Sequence, residues 1–532
     1  MSDLPAISVV VASEAAPGAG DAFTAALAGC TAVSGGHEVV QEPVARGDVG
    51  AAWNRAAARA RGTLLLFLRD DVRPAANLLT AHLELHDHTP DAVAVGRLAV
   101  DDRASLEAHL LRIGGDALDR AFPRPHAPRL LECCGQTLSI SRARFAGSTG
   151  FAEQLEWGWE AELVQRLRTR GATFLLGPDP VGTRVLPTRV GEIAGALAAA
   201  GRASVALFRH CPPLLAELEL GGFHSSGEWA VTARRALLAM GGPLTLLSVL
   251  TPLFRGGARE PCQRFLTSYF YWRGVWQAAD RRLRRELAYG PVVLMYHAIG
   301  DALEAPGHYR VPRRAFARQL AWLSLAGYRV IGAEELVIRR ANFRLPPARS
   351  VAITFDDGYG DNYHLAVPEL HRRRFPATFY VVTGCAGASN TWDDAGELAG
   401  RPLMTWKQVA ELERLGMEVG AHSRRHPALA GRPAGVLDDE VAGSRGDMAR
   451  ALEHEVRTFA YPYGSVDDAA ALAVARAGFD GAYCSRSGIN DPAAPAYALR
   501  RVEVRGTDSL LAFAVAVWRG RRARRGAASA SP

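Results

Sequence analysis

Cysteine is scarce in this chain. The seven cysteines are scattered through 532 residues, and none of them forms a CxxC pair. An odd number without paired spacing argues against a disulfide framework and against a zinc site built on cysteines. The opening residues, MSDLPAISVVVASEAA, lack a basic segment followed by a long apolar core, so we expect no signal peptide. These absences predict a reduced, cytoplasmic setting.

Long uncharged runs are also rare. One of them, Ala236 to Phe254, has 19 residues without a charged side chain, about the length that crosses a bilayer. Gly241-Gly242-Pro243 and Pro252 would interrupt a continuous helix there. Three interpretations stay open: a spanning helix, an interfacial hairpin that gives peripheral contact with the inner face of the cell membrane, and buried core or linker helices.

The excess of positive charge is small. There are 62 Lys+Arg and 55 Asp+Glu, a net charge of +7, and part of the excess lies in the arginines between 519 and 525. A solvated end is favoured there over a nucleic-acid arm, so no nucleic-acid partner is predicted, although such a tail could touch anionic lipid or phosphate. Apolar residues at 48% and charged residues at 22% are typical of soluble globular chains and exclude disorder and collagen.

The chain divides by pattern into α/β and helical parts. A buried strand over 7–12, an Ala-rich helix over 50–61 and a second strand over 63–68 indicate an α/β layer architecture. A second set of strand-like runs follows later, at 292–296, 351–355, 377–382, 418–421 and 458–460. We predict an α/β domain at 1–210, a helical connector at 211–287, a second α/β domain at 288–513 and a basic, disordered tail at 514–532.

The strongest chemical signal lies in the second α/β domain. Asp356 and Asp357 leave the end of a strand-like run, and adjacent carboxylates repel unless a cation or a proton separates their roles. His422 and His426 follow another strand pattern; four residues apart, they share one helical face or meet across one tight loop. One carboxylate and two imidazoles leave a position open for water, as in a catalytic zinc site. Taken alone, the two aspartates could belong to an ordinary turn, and the two histidines could be a solvated or core pair. Their combination, each after a strand, indicates a metal site.

These motifs resemble the polysaccharide deacetylase (NodB-like) family over about 290–505. The first family motif matches TFDDG at 354–358, and the second, H-[ST]-x-x-H-P, matches 422–427. The third appears at 459–464 as FAYPYG, a variant without the arginine of the RPPYG form, which leaves open what orients the catalytic aspartate. The resemblance implies a distorted (β/α) barrel that removes N- or O-acetyl groups from carbohydrates.

The resemblance also implies roles for individual residues. Asp356 would be the general base, and Asp357, His422 and His426 would bind zinc or another divalent transition metal. The backbone N–H of Tyr463 would help to hold the oxyanion.

Two further roles in this domain are less direct. His297 lies in the segment Leu294–His297, which resembles the MYH segment of exopolysaccharide deacetylases, and is the expected general acid; a histidine satisfied by the backbone is the alternative. Arg501 would hold the active-site aspartate or a substrate group, with a surface ion pair as the alternative.

The first α/β domain carries a second, weaker signal. Asp70 and Asp71 end a buried strand, where a doubly wound sheet binds its ligands, and a carboxylate there can hold Mg²⁺ or Mn²⁺ bridging a diphosphate. With ISVVVA, Trp53-Asn54-Arg55 and FLRDDVRP in order, residues 6–210 resemble inverting glycosyltransferases of family two, which have the GT-A fold.

The glycosyltransferase resemblance has two departures. Arg69 stands where the metal-binding D-x-D motif has an acid, which leaves Asp71 as the expected ion contact and Asp70 as its support in the substrate site. The family's Glu-Asp pair reads Glu160-Ala161, so the base would be Glu160 or else Glu162.

Together the two resemblances predict a bifunctional carbohydrate-modifying enzyme. It would transfer a sugar from a nucleotide sugar and remove an acetyl group from a glycan or glycolipid acceptor, in the synthesis of cell-surface polysaccharide or glycolipid. Two alternatives stay open: a deacetylase whose N-terminal domain only binds carbohydrate, and a related metal-dependent hydrolase of cyclic amides or imides.

Overall fold

The computed structural model describes residues 4–13, 25–44, 48–100, 136–184, 190–225, 228–240, 259–301, 303–393 and 395–520. The chain forms two compact units, one of residues 1–220 and 232–280, the other of residues 221–231 and 281–532. The helical stretch that we predicted as a connector, 211–287, is thus shared between the two units. Within the described residues no helix is long and apolar enough to cross a membrane. Positions 241–254 of the uncharged run and positions 521–532 of the predicted tail lie outside the described residues. The predicted disorder is wrong for residues 514–519, which belong to a helix that begins at Leu510.

The first unit is built on a mixed seven-stranded sheet. Its strands are β1 (Ile7–Ser13), β2 (His37–Pro43), β3 (Leu64–Arg69), β4 (Val72–Pro74), β5 (Val93–Val100), β6 (Thr137–Ser141) and β7 (Phe174–Arg184). They lie in the order β2-β1-β3-β6-β5-β7-β4. β1 runs parallel to β2 and β3, whereas β6 is antiparallel to β3 and β5. The apolar runs of β1 and β3 are buried because the sheet is covered on both faces.

The described helices of the first unit are α1 (Val49–Arg59), α2 (Leu78–Asp87), α3 (Arg142–Ala146), α4 (Trp159–Arg168), α5 (Val190–His210), α6 (Glu228–Met240, whose residues up to 231 belong to the second unit) and α7 (Arg259–Ala278).

Two of these helices, α5 and α7, pack at very short range. A Cβ at Gly201 of α5 would lie 2.0 Å from the Tyr271 carbonyl oxygen, and one at Gly274 of α7 would lie 1.9 Å from that of Ala198. Glycine at both positions therefore permits the close contact that joins α7 to the N-terminal unit.

The second unit is built on a parallel sheet. Its strands are β8 (Val292–Tyr296), β9 (Ala298–Gly300), β10 (Arg310–Pro312), β11 (Arg329–Ile331), β12 (Ser350–Phe355), β13 (Thr378–Val381), β14 (Glu418–Ala421), β15 (Thr458–Ala460), β16 (Gly481–Tyr483) and β17 (Val502–Glu503). Eight of them form one sheet in the order β16-β15-β14-β13-β12-β8-β17, with β11 paired to β12, and β9 pairs with β10. This parallel arrangement is consistent with the distorted barrel implied by the sequence.

Helices and apolar strands surround the core of the second unit. The helices are α8 (Arg281–Ala288), α9 (Arg313–Leu325), α10 (Ala333–Ala341), α11 (Val367–Arg373), α12 (Trp406–Arg414), α13 (Ala434–Leu452), α14 (Asp468–Arg476) and α15 (Leu510–Arg519). Every residue of β8 and β12 is buried, as expected for central parallel strands. Because parallel strands end at one edge of the sheet, the residues that follow β8, β12, β14 and β15 are brought together there.

Candidate active site

Three predicted metal ligands converge at the carboxyl edge of the second sheet. Asp357 follows β12, and His422 and His426 follow β14. The Asp357 Oδ1 atom lies 3.3 Å from His422 Nε2 and 3.1 Å from His426 Nε2. All three side chains are buried, and their ligand atoms lie within 4.8 Å of one another. Within the described residues this is the single cluster of its kind, and its donor set of one carboxylate and two imidazoles suits a divalent transition metal with open positions.

The surroundings of the two histidines point their Nε2 atoms at this cluster. The Nδ1 atom of His422 donates to the Ala460 carbonyl oxygen at 2.7 Å, which orients the ring so that Nε2 faces Asp357. The His426 ring stacks on Trp392 at 4.7 Å and meets the edge of Tyr463 at 4.6 Å. The site is therefore held by the backbone on one side and by aromatic rings on the other.

A loop, rather than a helix, presents the two histidines. Ser423 and His426 both have φ of 63°, in the left-handed region that ends any helical path. The Ser423 hydroxyl oxygen accepts a hydrogen bond from the His426 N–H at 3.0 Å, which closes the turn. Of the two geometries that the spacing of four allowed, the structure has the tight loop.

The surroundings of Asp357 favour its ionised form. Burial by itself raises the pKa of Asp357, but hydrogen bonds to His422 and His426 outweigh burial and hold the pKa well below its ordinary value. Asp357 also takes a left-handed φ of 72°. This backbone turn separates its side chain from that of Asp356, so the adjacent carboxylates take different surroundings.

Arg501 holds the second carboxylate. Its NH1 and NH2 atoms donate to the two oxygens of Asp356 at 2.6 and 2.7 Å, and both side chains are buried. Arg501 also donates to the Cys484 carbonyl oxygen at 3.2 Å. Burial alone would raise the pKa of Asp356, but the Arg501 charge, with a smaller contribution from His422, holds it below its ordinary value. Of the roles that the sequence left open for Arg501, the structure shows the one in which it holds Asp356, and the surface ion pair is wrong because both side chains are buried.

A cavity of about 380 Å³ opens onto these groups. The predicted acid His297, directly after β8, lies in its wall, and the His297 Nδ1 atom is buried without a hydrogen-bond partner among the described residues. The His297 ring meets the edge of Tyr309 at 4.7 Å. Tyr463 is 61% exposed at the cavity and has a φ of 56°. The cavity wall includes Met295, His297, Tyr309, Asp356, Asp357, Tyr359, Asn390, Trp392, Asp393, Leu398, His422, His426, Tyr463, Gly464, Ser485, Arg501 and Glu503.

Several of these lining residues were not identified from the sequence. The Tyr359 hydroxyl accepts from Asn390 Nδ2 at 2.9 Å and is hydrogen-bonded to Asp357, which links a metal ligand to the segment before β14. Glu503 Oε1 lies 2.5 Å from the His308 Nε2 atom. Tyr359 directly follows TFDDG, so its position in the sequence could have identified it. Asn390, Trp392 and Glu503 lie outside any recognisable motif.

The candidate residues of the first unit lie in two places. Asp70 and Asp71 follow β3, where Asp70 accepts from the Ser13 hydroxyl at 2.9 Å and Asp71 Oδ1 lies 3.4 Å from Arg69 Nε. Glu160 and Glu162 are buried in the first turn of α4.

Glu162 is already engaged by a neighbour on its own helix. Its two carboxylate oxygens accept from Arg166 at 3.0 and 2.8 Å. Glu160 and Glu162 both stay candidates for the base of the first unit.

The parallel sheet and the buried cluster of two histidines and one carboxylate define the second unit as an α/β domain with a candidate metal site. The family profile described as polysaccharide deacetylase matches residues 344–482. This chain is 26% identical over 212 residues to the putative polysaccharide deacetylase YxkH of Bacillus subtilis, covering 40% of this chain and 70% of that protein. The poly-beta-1,6-N-acetyl-D-glucosamine N-deacetylase of Staphylococcus epidermidis is 25% identical over 207 residues, covering 37% of this chain and 68% of that protein. The second unit therefore carries a polysaccharide deacetylase (NodB-like) domain.

Two solved structures are also similar to part of this chain. The Streptococcus pyogenes deacetylase PplD, in complex with acetate, is 26% identical and covers 43% of this chain and 98% of its own, with a TM-score of 0.37. IcaB from Ammonifex degensii is 28% identical and covers 43% of this chain and 97% of its own, with a TM-score of 0.38.

Proposed function

We propose that the second unit removes the acetyl group from N-acetylated sugars of a glycan in a metal-dependent hydrolysis. The observation that carries this proposal is the placement of Asp356 beside the Asp357, His422 and His426 cluster, in one cavity. A cluster with an open position and a separate, ionised carboxylate beside it is the arrangement that hydrolysis of an amide requires.

Each side chain has a distinct task in this reaction. A bound divalent metal supplies Lewis-acid polarisation of the acyl oxygen and lowers the pKa of a water molecule. Asp356, kept ionised by Arg501, takes the proton of the attacking water. His297 gives a proton to the departing amine, since its Nδ1 is free of protein partners. The Tyr463 backbone N–H stabilises the negative charge that develops on the acyl oxygen.

Aromatic rings at the cavity favour a carbohydrate over a small amide. Tyr309, Trp392 and Tyr463 line its wall and present faces and edges against which a sugar ring can pack. The staphylococcal relatives are named for deacetylation of poly-beta-1,6-N-acetyl-D-glucosamine, which supports a polymer of N-acetylhexosamine as the substrate class.

Acetate release tests this proposal. The purified chain, stripped with a chelator and then supplied with zinc or another divalent transition metal, is incubated with N-acetylglucosamine oligomers. We expect acetate in solution and a loss of about 42 Da per sugar by mass spectrometry, the mass expected when a hydrogen replaces an acetyl group. Hydrolysis of cyclic amides or imides with no action on the oligomers would favour the alternative amide hydrolase.

We propose that the first unit transfers a sugar from a nucleotide sugar, with Mg²⁺ or Mn²⁺ bound near Asp71. The position of Asp70 and Asp71 at the carboxyl edge of parallel strands supports this proposal, because ligands of α/β sheets bind at that edge. The mixed strand order is compatible with a GT-A fold. The alternative is a unit that only binds carbohydrate and presents it to the deacetylase.

One substitution separates the two roles of the first unit. Asp71→Ala should abolish release of nucleotide from a nucleotide sugar if the unit is a transferase. If it only presents substrate, nucleotide release is absent from the unaltered chain as well, and Asp71→Ala weakens deacetylation alone.

We further propose a cytoplasmic location with peripheral contact at the inner face of the membrane. On α15 the side chains of Leu511 and Trp518 are 74% and 47% exposed, and arginines follow at 519–525. Two catalytic units on one chain would raise the effective concentration of a shared glycan or glycolipid intermediate at that surface.

A further inference from the structure

The loop that carries two metal ligands needs an outside support. Ser423 and His426 both adopt a left-handed backbone, which residues with side chains rarely take unless neighbouring contacts impose it. The hydrogen bond from the His426 N–H to the Ser423 hydroxyl lies inside the loop, so it cannot fix the loop against the rest of the domain. The backbone N–H groups of Arg424 and Arg425 lie between the two ligands.

Part of that support comes from the backbone N–H groups of Thr383 and Gly384, which donate to the carbonyl oxygens of Ser423 and Arg424 at 3.1 and 2.9 Å. A second part comes from Glu440, on another element. Its side chain lies on α13 and is only 2% exposed. One oxygen, Oε2, accepts from the N–H groups of both Arg424 and Arg425, each at 2.9 Å. The other oxygen lies 2.9 Å from the NH2 atom of Arg425. A buried carboxylate that accepts two consecutive backbone N–H groups fixes the path of that backbone.

We infer that Glu440 is a positioning residue for the metal centre. Its carboxylate holds the 424–425 backbone so that the Nε2 atoms of His422 and His426 both face Asp357. The inference rests on the proposed metal-dependent function, and it assigns to α13 a role beyond covering the sheet.

The neighbouring residue, Asp439, offers a matched control. Asp439 lies on the same helix and pairs with the side chains of the same two arginines, with a distance of 2.6 Å to Arg424. Its side chain is 41% exposed. Removing the charge of Asp439 disturbs the ion pairs of the loop and leaves the backbone hydrogen bonds to Glu440 in place.

Metal affinity of the full chain tests the inference. Glu440→Ala, Glu440→Asp, Glu440→Gln and Asp439→Asn are titrated with zinc against a chromophoric chelator, and the absorption spectrum of the cobalt-loaded protein is compared. Loss of an outer support for metal ligands costs about 10–100-fold in affinity. We expect that loss in Glu440→Ala and in Glu440→Asp, whose shorter side chain draws the carboxylate away from the loop. Glu440→Gln keeps an acceptor oxygen at the same reach and should recover most of the affinity, and Asp439→Asn should stay within about twofold of the unaltered chain.

Two results would overturn the inference. One is unaltered affinity and an unaltered cobalt spectrum in Glu440→Ala or, if that variant does not fold, in Glu440→Asp. The other is an equal loss in Asp439→Asn, which would assign the effect to the ion pairs. A failure of the proposed function looks different, because then the unaltered chain itself binds no metal or releases no acetate.

Discussion

Arg501 donates hydrogen bonds to both carboxylate oxygens of Asp356 in a bidentate ion pair that is buried from solvent. The two residues lie 145 positions apart in the chain, at distances of 2.6 and 2.7 Å. The pair forms because β17 lies beside β8 and β8 beside β12, which brings the residue before β17 to the residue after β12. The proposed base, Asp356, is thus oriented by a residue that lies outside the three sequence motifs.

Replacing Arg501 with methionine should therefore damage both turnover and stability. Breaking a buried ion pair by removing one partner costs about 3–5 kcal/mol, because the remaining charge stays buried. We expect a drop of that order in the free energy of unfolding, measured in urea, and a large loss of acetate release. Arg501→Lys keeps the positive charge but loses the bidentate hydrogen bonding. Relative to Arg501→Met, it should therefore recover more of the stability than of the turnover. Unchanged turnover in Arg501→Met would contradict the positioning role.

The same pair should govern how acetate release depends on pH. Because the folded protein lowers the pKa of Asp356, its contribution to stability is present above the unfolded-state pKa and disappears as the pH falls through the folded-state pKa. Without Arg501 the Asp356 pKa rises, so the acid limb of the pH profile of kcat should move to higher pH. The profile of Arg501→Lys serves as the control, since its positive charge still favours the ionised carboxylate.

Measurements of bound metal should distinguish the proposed metal ligands from the proposed base. His426→Ala removes one ligand of three and should abolish both bound metal and acetate release, with the fold preserved by circular dichroism. Asp356→Asn leaves Asp357, His422 and His426 in place, so it should retain metal, determined by elemental analysis, and lose most turnover. Acetate release by Asp356→Asn at the rate of the unaltered chain would make the base assignment wrong.

His297 as general acid predicts a dependence on the leaving group. An amine must be protonated as it departs, whereas a nitrophenolate leaves without help. His297→Ala should thus lose about 10²–10⁴-fold in turnover of an N-acetylated sugar, the usual share of general acid catalysis, and much less with 4-nitrophenyl acetate. Equal losses on both substrates would instead indicate a structural role for His297.

Sequence patterns predicted the strands of the second unit closely. The runs at 292–296, 418–421 and 458–460 are the strands that the structure has, because each is a short apolar or β-prone stretch bounded by polar residues. The clustering of Asp357, His422 and His426 also followed from sequence, since all three follow strands that proved to be parallel. In the first unit, β1 and β3 were predicted to within one residue at each end.

Other features depend on long-range register and could not be read from sequence. The pairing of Arg501 with Asp356 requires knowing that β17 lies beside β8. Glu440 follows Asp438 and Asp439, so the acidic run resembles a solvated helix face although Glu440 alone is buried. Trp392 lies in a segment without periodic pattern, and only the fold brings it against His426.

The exposed face of α15 predicts binding to anionic membranes. Leu511 and Trp518 are seven residues apart, so they share one face of the helix, and residues 509–532 contain no Asp or Glu. An apolar stripe beside arginines is the pattern of a helix that lies in a lipid interface, and Trp prefers that interface. The full chain should therefore sediment with vesicles that contain phosphatidylglycerol and much less with pure phosphatidylcholine, and added salt should weaken the binding.

Substitutions on and off the stripe decide whether α15 is the surface responsible. Leu511→Ser with Trp518→Ser should lower vesicle binding by roughly tenfold or more, since burying one large apolar side chain contributes about 1.5–3 kcal/mol. Leu472→Ser on α14, where the leucine is 48% exposed, removes exposed apolar surface elsewhere and should leave binding unchanged. Both variants should still release acetate from a soluble oligomer, because neither position lies in the cavity wall. Equal binding by the double variant and the unaltered chain would exclude α15 as the membrane surface.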